Sequence, residues 1–141
     1  MYNRILVPID MSSPETGARS CPVAENMAKL SGATINLMSV LPGYNFPLVA
    51  SYFPADAQAK MKEQVLADMK SIASKFFEKE PELTIRTGKR SHEILQLAEE
   101  WKADLIVFGC RPKDALGGEL MLGSCGITVS ERAKCNVFIA R

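Results

Sequence analysis

The feature that most constrains this chain is a regular alternation of short apolar runs with longer amphipathic stretches. The short runs are predicted to be strands at 5–10, 33–40, 82–87, 104–109 and 136–140. The helices between them are predicted to begin near Glu15, Asp56, Ser91 and Ser124. This pattern predicts one α/β domain: a doubly wound, five-stranded parallel sheet with helices on both faces.

The first two predicted helices and the loop between them carry distinctive features. Pro22 lies inside the first helix, and it is expected to kink the helix or to delay its effective start. The second helix has an apolar stripe at Met61, Val65, Met69, Ile72 and Phe76. Residues 42–54 form a long loop rich in proline and aromatic residues, a length that is typical of a functional or mobile segment.

Composition and charge limit the classes of function. The chain has 141 residues, 47% hydrophobic, and a formal net charge of +1, which gives no reason to expect nucleic acid or an acidic membrane surface. No apolar run approaches the roughly 20 residues that span a bilayer, and the first residues lack a signal-peptide layout. The four cysteines form no CxxC pair and no cluster with the single His92, so structural zinc is not expected. Reduced thiols in a cytoplasm are expected instead.

The stretch after the fourth predicted strand has the layout of a phosphate cradle. The run Leu105–Phe108 ends in Gly109, a loop follows, and Gly123-Ser124 opens a helix with Ser124 as its predicted N-cap. A helix start carries unpaired N–H groups and partial positive charge, which suit a phosphate. The alternative is that Gly123-Ser124 serves only to cap the helix.

Asp10 ends the first predicted strand, and open α/β sheets place their ligands at the carboxyl ends of their strands. In the flavodoxin-like strand order, the first and fourth strands are neighbours, so Asp10 and Gly109 are predicted to lie side by side. Asp10 has an alternative role as a cap for the turn before the first helix. Cys125, at the start of the last helix, is either a thiol with a lowered pKa or a small filler residue, and the same choice applies to Cys110.

Several motifs, in the right order, resemble the universal stress protein family over nearly the whole chain. Arg4-Ile-Leu-Val-Pro-Ile-Asp10 is similar to the family's opening strand and aspartate, and Ala103-Asp-Leu-Ile-Val-Phe-Gly109 to its fourth strand. Gly88-Lys-Arg-Ser-His-Glu-Ile-Leu95 and the Gly123-to-Arg141 segment resemble its remaining signatures. The resemblance implies a flavodoxin-like or Rossmann-like fold and a homodimer formed through the last strand, here Val137, Phe138 and Ile139.

Nucleotide-binding members carry a glycine, two residues, a second glycine, nine residues, and then Gly-Ser or Gly-Thr. Gly109 and Gly123-Ser124 match the outer parts of this pattern, whereas Pro112 occupies the second glycine's place and ten residues separate it from Gly123. Proline donates no N–H and excludes positive φ, but Arg111 beside it could supply a charged contact instead. Gly117-Gly118 could let the longer loop readjust. A branch of the family with Arg-Pro at this place is thought to retain nucleotide.

The resemblance implies ATP as ligand, with Mg²⁺ between its phosphates if triphosphate binds, and it implies the following contacts. Pro8, Ile9 and Asp10 would line the adenine and ribose side, and the Ser39–Val40 backbone would read the adenine edge. Ribose and phosphates would be held by Gly109, Arg111, Gly123, Ser124 and the Cys125 amide. No general base with an oriented partner is apparent, so the sequence makes no positive case for catalysis. Three functions stay open: a nucleotide-dependent stress or signalling dimer, an interaction protein without nucleotide, and a weak ATPase.

Overall fold

The alternation in the sequence is built as a parallel sheet flanked by helices. The computed structural model describes residues 1–43, 55–112 and 120–141. The main elements in chain order are β1 (Arg4–Pro8), α1 (Pro14–Ser31), β2 (Thr34–Pro42), α2 (Ala55–Phe76), β3 (Glu82–Gly88), α3 (Arg90–Glu100), β4 (Leu105–Gly109), β5 (Arg111–Pro112), β6 (Leu120–Met121), α4 (Gly123–Arg132) and β7 (Asn136–Ala140). Residues 44–54 of the predicted long loop, and Gly117-Gly118, lie outside the described residues.

The predicted sheet and its flavodoxin-like order are confirmed. The five strands run in the order β3-β2-β1-β4-β7, and every neighbouring pair is parallel. β1 is central and pairs with both β2 and β4, while β3 and β7 form the two edges. A two-stranded antiparallel hairpin of β5 and β6, which the sequence pattern did not predict, stands between β4 and α4.

Two apolar clusters cover the two faces of the sheet, because alternate residues of each buried strand point to opposite sides. Ile5 and Val7 of β1 face α1 and α2 in one cluster, which also holds Cys21 and Met69. Leu6 faces α3 and α4 in the other cluster, together with Met38, Ile94, Ile106 and Val129. The helices therefore lie on both faces, as predicted. Within the described residues, no helix combines the length and the apolar character that a membrane crossing requires.

The helices differ from the sequence-based expectation in two details. α1 begins at Pro14, ahead of Pro22, so Pro22 does not delay its start; Pro22 lies on the exposed side of the helix. Gly32, with φ of 73°, ends α1 as predicted, and its N–H bonds to the Ala28 carbonyl. The buried stripe of α2 runs through Val65, Met69 and Ala73 and is continued by Phe77, the residue after the helix, whereas the predicted Ile72 and Phe76 lie only partly buried at its margin.

Candidate functional site

β1 and β4 are neighbouring strands, and the helices that follow them, α1 and α4, pack on opposite faces of the sheet. The β1–β4 register pairs Ile5 with Leu105 and Leu6 with Ile106. Extended along both strands, this register places Ile9 opposite Gly109 just past the end of β1. The predicted proximity of Asp10 and Gly109 is realised, since both line one cavity of about 290 Å³ at this edge. Six of the ten predicted site residues line it: Asp10, Gly109, Arg111, Gly123, Ser124 and Cys125.

Asp10 is held as a carboxylate by neighbours on two elements. Its Oδ1 accepts hydrogen bonds from Ser12 N at 3.0 Å and from Ser12 Oγ at 2.6 Å. Its Oδ2 accepts a bond from Arg90 Nη1 at 2.9 Å. Burial alone would raise the pKa of Asp10, but the Ser12 hydrogen bonds and the Arg90 charge together hold it below its ordinary value. Asp10 therefore both caps the turn before α1 and presents a charged group at the cavity.

Arg90 is the charged residue of this cavity that sequence reasoning missed. It is the first residue of α3, two residues after β3 ends, and its side chain reaches across β2 to the end of β1. The available signal was the basic pair Lys89-Arg90 at the carboxyl end of a predicted strand. That signal did not indicate a partner, because Asp10 lies 80 residues away along the chain.

The start of α4 forms the opposite wall of the cavity. Gly123 is the first helical residue, and its φ of 79° is a left-handed conformation that favours glycine. The predicted N-cap role of Ser124 is wrong: the N-cap position is Leu122, whose side chain makes no capping hydrogen bond. Ser124 is instead an exposed residue of the first turn. The first backbone N–H groups of α4 have no partner within the helix, and they lie at the cavity.

Arg111 approaches α4 from the hairpin. β5 pairs Arg111 with Met121, and β6 leads within two residues into the helix. The Arg111 Nη2 atom lies 3.5 Å from the point where a β-carbon on Gly123 would stand. Pro112, which replaces the second glycine of the family pattern, is paired with Leu120 in the same hairpin. The strand β5, which contains Pro112, therefore positions Arg111 beside the start of α4.

The other four predicted site residues are not among those that line this cavity. Pro8, Ile9 and Ser39 are buried, and Val40 is partly buried. Ile9 N donates to the Met38 carbonyl at 2.8 Å, and the β1–β2 register, extended, places Val40 opposite Asp10, beyond the end of β1. Ser39 and Val40 therefore lie beside the residues that follow β1.

The two cysteines near the site, Cys110 and Cys125, are both at least partly buried. Burial raises the pKa of the Cys125 thiol; the Arg90 charge opposes this effect, and the Asp10 charge adds to it. Of the two roles open for Cys125, the raised pKa favours the small filler residue over the activated thiol, because desolvation outweighs the Arg90 charge. Cys110 is 3% exposed, and its backbone N–H bonds to the Ala140 carbonyl.

The charges around the cavity suit an anion. Its described lining includes one carboxylate, Asp10, and two guanidinium groups, those of Arg90 and Arg111. The carboxylate is already paired with Arg90, so among the described lining residues the second arginine and the start of α4 leave the site with positive character. The Asp10 carboxylate could accept hydrogen bonds from hydroxyl groups of the same ligand.

Comparison with known proteins agrees with this fold. The model of the universal stress protein family matches residues 1–141. Universal stress protein YxiE of Bacillus subtilis is 31% identical to this chain, and the alignment covers 100% of both proteins.

Two solved universal stress proteins superpose on nearly the whole chain. One, in complex with cAMP, has a TM-score of 0.67 at 24% identity and covers 99% of this chain and 97% of its own. Another, from Archaeoglobus fulgidus in complex with dAMP, has a TM-score of 0.66 at 23% identity, with coverages of 99% and 98%. At these identities the likeness supports the shared fold.

Proposed function

The chain belongs to the universal stress protein family, and on that premise we propose that it binds an adenine nucleotide, ATP, at the cavity between β1, β4 and α4. The observation that carries this proposal is the start of α4, where a left-handed glycine and backbone N–H groups without a partner inside the helix lie at a cavity flanked by Arg90 and Arg111. Backbone N–H groups at a helix start bind phosphate, and arginine adds charge-assisted bonds.

In the proposed complex, the parts of the nucleotide would lie one after another along this edge of the sheet. The phosphates would lie against Gly123, Ser124 and the Cys125 amide, with Arg111 beside them. The ribose would lie at Asp10 and Gly109. The Ser39–Val40 backbone would read the adenine edge, beside the backbone of Pro8 and Ile9. Two proteins with the same fold, solved with cAMP and with dAMP, support the choice of an adenine nucleotide.

Mg²⁺ would enter this site with the phosphates of ATP. Among the described residues, no group of three or more His, Cys, Asp or Glu side chains is placed to hold a metal ion. The triphosphate oxygens and water would therefore supply most of the ligands, as is usual for Mg²⁺ bound with nucleotides.

The protein would act as a nucleotide-dependent signalling dimer in the cytoplasm rather than as a dedicated enzyme. β7 is a sheet edge that pairs with β4 on one side. Antiparallel pairing of two β7 strands would cover that edge around a two-fold axis. Val137 and Ile139 pack into the second apolar cluster, while Phe138 is 40% exposed on the other face. Phe138 is therefore the exposed large apolar side chain of β7 that a second copy could contact.

The first test of nucleotide binding uses freshly purified protein. The protein is denatured, and any released nucleotide is identified by mass and absorbance; the folded protein is then titrated with ATP by calorimetry. Stoichiometric ATP or ADP, or saturable binding heat, supports the proposal. No copurified nucleotide and no binding heat at millimolar ATP would favour an interaction protein, in which Pro112 has closed the site to nucleotide.

A weak ATPase is separated from simple binding by the Asp10→Asn variant. Steady phosphate release that this variant abolishes, with ATP binding retained, would indicate catalysis. Loss of binding together with release would indicate that Asp10 serves recognition.

A further inference from the structure

The ion pair between Arg90 and Asp10 joins two elements across the mouth of the cavity. Arg90 Nη1 lies 2.9 Å from Asp10 Oδ2, and both side chains line the cavity. The two side chains are 33% and 17% exposed, so the pair is accessible to a ligand and only partly shielded from water. A charge pair in this setting is screened less than one on the open surface.

The pair leaves bonding capacity on both partners. Arg90 has five N–H donors, and one described bond uses a single nitrogen. Asp10 accepts two bonds at Oδ1 from Ser12 and one at Oδ2 from Arg90. Since an ionised carboxylate has about four acceptor positions, a further hydroxyl can still be accepted. The remaining donors of Arg90 can serve an anion beside it.

The charge of Arg90 extends to the start of α4. It acts on the Cys125 thiol, in the first turn of that helix, although burial has the larger effect on the thiol pKa. Without Arg90, the Asp10 carboxylate would face the place proposed for phosphate with no paired cation. Like charges at short range in a partly shielded site repel, so Asp10 alone would oppose phosphate binding.

We propose that Arg90 makes the site selective for phosphorylated adenosine over adenosine, by neutralising Asp10 and donating to the phosphates at the same time. This inference rests on the proposed adenine-nucleotide site. Under it, Asp10 can hold a ribose hydroxyl without repelling the phosphates, so that recognition of ribose and recognition of phosphate are coupled through one guanidinium group.

The test is a calorimetric comparison of adenosine, AMP and ATP on the wild-type protein, Arg90→Gln, Asp10→Asn and the double variant. Arg90→Gln is expected to weaken ATP binding at least tenfold and adenosine binding less than threefold. In the Asp10→Asn background, the same change should weaken ATP less, because no bare carboxylate is left behind. Arg132→Gln, the same charge change at the exposed last turn of α4, is the matched control and should leave all affinities unchanged.

Several results would overturn this inference while leaving the nucleotide site intact. Equal weakening of ATP and adenosine by Arg90→Gln would mean that Arg90 only positions Asp10. Unchanged affinities would mean that Arg90 has no part in binding. If Arg90→Gln does not fold, Arg90→Lys keeps the charge but not the planar fork, and it should weaken ATP about threefold to fivefold and adenosine not at all; equal effects would again overturn the inference. Absence of binding to the wild-type protein overturns the proposed function itself.

Discussion

Gly109 lies directly against the backbone of Thr16 in α1. A β-carbon at position 109 would stand 2.7 Å from the Thr16 carbonyl carbon, and nearer still to its oxygen. Thr16 is 6% exposed, and its own hydroxyl bonds back to the Ser13 carbonyl, so this turn has little freedom to move. The glycine at the end of β4 is therefore required by the packing of α1, independently of any ligand.

Gly109→Ala is expected to lower the free energy of unfolding by about 1–3 kcal/mol, because the added methyl group must push α1 away from β4. Urea unfolding at neutral pH measures the change. Gly17→Ala is the matched control, since its β-carbon would meet Ile9 Cγ2 at an ordinary 3.4 Å. Because alanine favours helix by about 1 kcal/mol over glycine, the control should be neutral or stabilising. An equal loss in both variants would contradict the packing argument.

The strands and helices of the fold are predictable because each is marked by residues within its own short stretch of sequence. Each buried strand is a short apolar run, and glycine at position 32 marks the end of α1 as expected. The side of α2 that is buried is less predictable: Ala73 is buried, but its small side chain adds little to an apolar stripe, so the sequence pattern favours Ile72 in its place. The contact between Gly109 and Thr16 joins residues far apart in the chain, and no local pattern indicates it.

Asp10 predicts a definite pH dependence of stability. Its pKa in the folded protein is below the ordinary value of 3.8, so the ionised carboxylate stabilises the folded state. That contribution is complete above the ordinary pKa and is lost as the pH falls through the lowered value. Asp10→Asn should therefore be less stable than wild type at about pH 6, and the difference should shrink below about pH 4.

Urea unfolding of wild type and Asp10→Asn between about pH 3 and pH 7 measures this difference. The same change at Asp56, an exposed residue in the first turn of α2, controls for the loss of one negative charge. A difference between wild type and Asp10→Asn that stayed constant across the range would show that the carboxylate is not stabilised by Ser12 and Arg90.

Replacing Arg111 is expected to weaken ATP binding without lowering the stability of the fold. Its guanidinium group lies over Gly123 at the start of α4, and the residue is exposed. Arg111→Ala is expected to raise the Kd for ATP about fivefold to tenfold, as removal of one charge-assisted contact at an exposed site would. Calorimetry measures the Kd, and thermal unfolding should be nearly unchanged. Arg132→Ala serves as the control, and an unaltered Kd in Arg111→Ala would leave phosphate recognition to the backbone alone.

The candidate site was predictable in part. Asp10, Gly109 and Gly123 were indicated because strand ends and helix starts mark them in sequence, and the strand order places them together. The sequence does not reveal that Ser124 is a first-turn residue rather than the N-cap, because α4 begins one residue earlier, at Gly123 with its φ of 79°. Arg90 was missed because its partner is brought to it only by the neighbouring positions of β1, β2 and β3.

The position of Phe138 on β7 makes it a test of the proposed dimer interface. It is the middle residue of β7 and is 40% exposed. If two β7 strands pair antiparallel about their centres, each Phe138 faces its twin across the two-fold axis, and a charge there would oppose an identical charge. Phe138→Glu is therefore expected to increase the monomer fraction in sedimentation velocity at micromolar protein.

The choice of Phe138 over its neighbours matters for this test. Val137 and Ile139 pack into the cluster beneath α3 and α4, so lysine at either position would destabilise the monomer as well as any interface. Leu30→Glu, at an 80% exposed position on α1, removes an apolar surface residue elsewhere and should leave the sedimentation profile unchanged. A Phe138→Glu protein that remains folded and sediments as the wild type does would place the dimer interface, if there is one, away from β7.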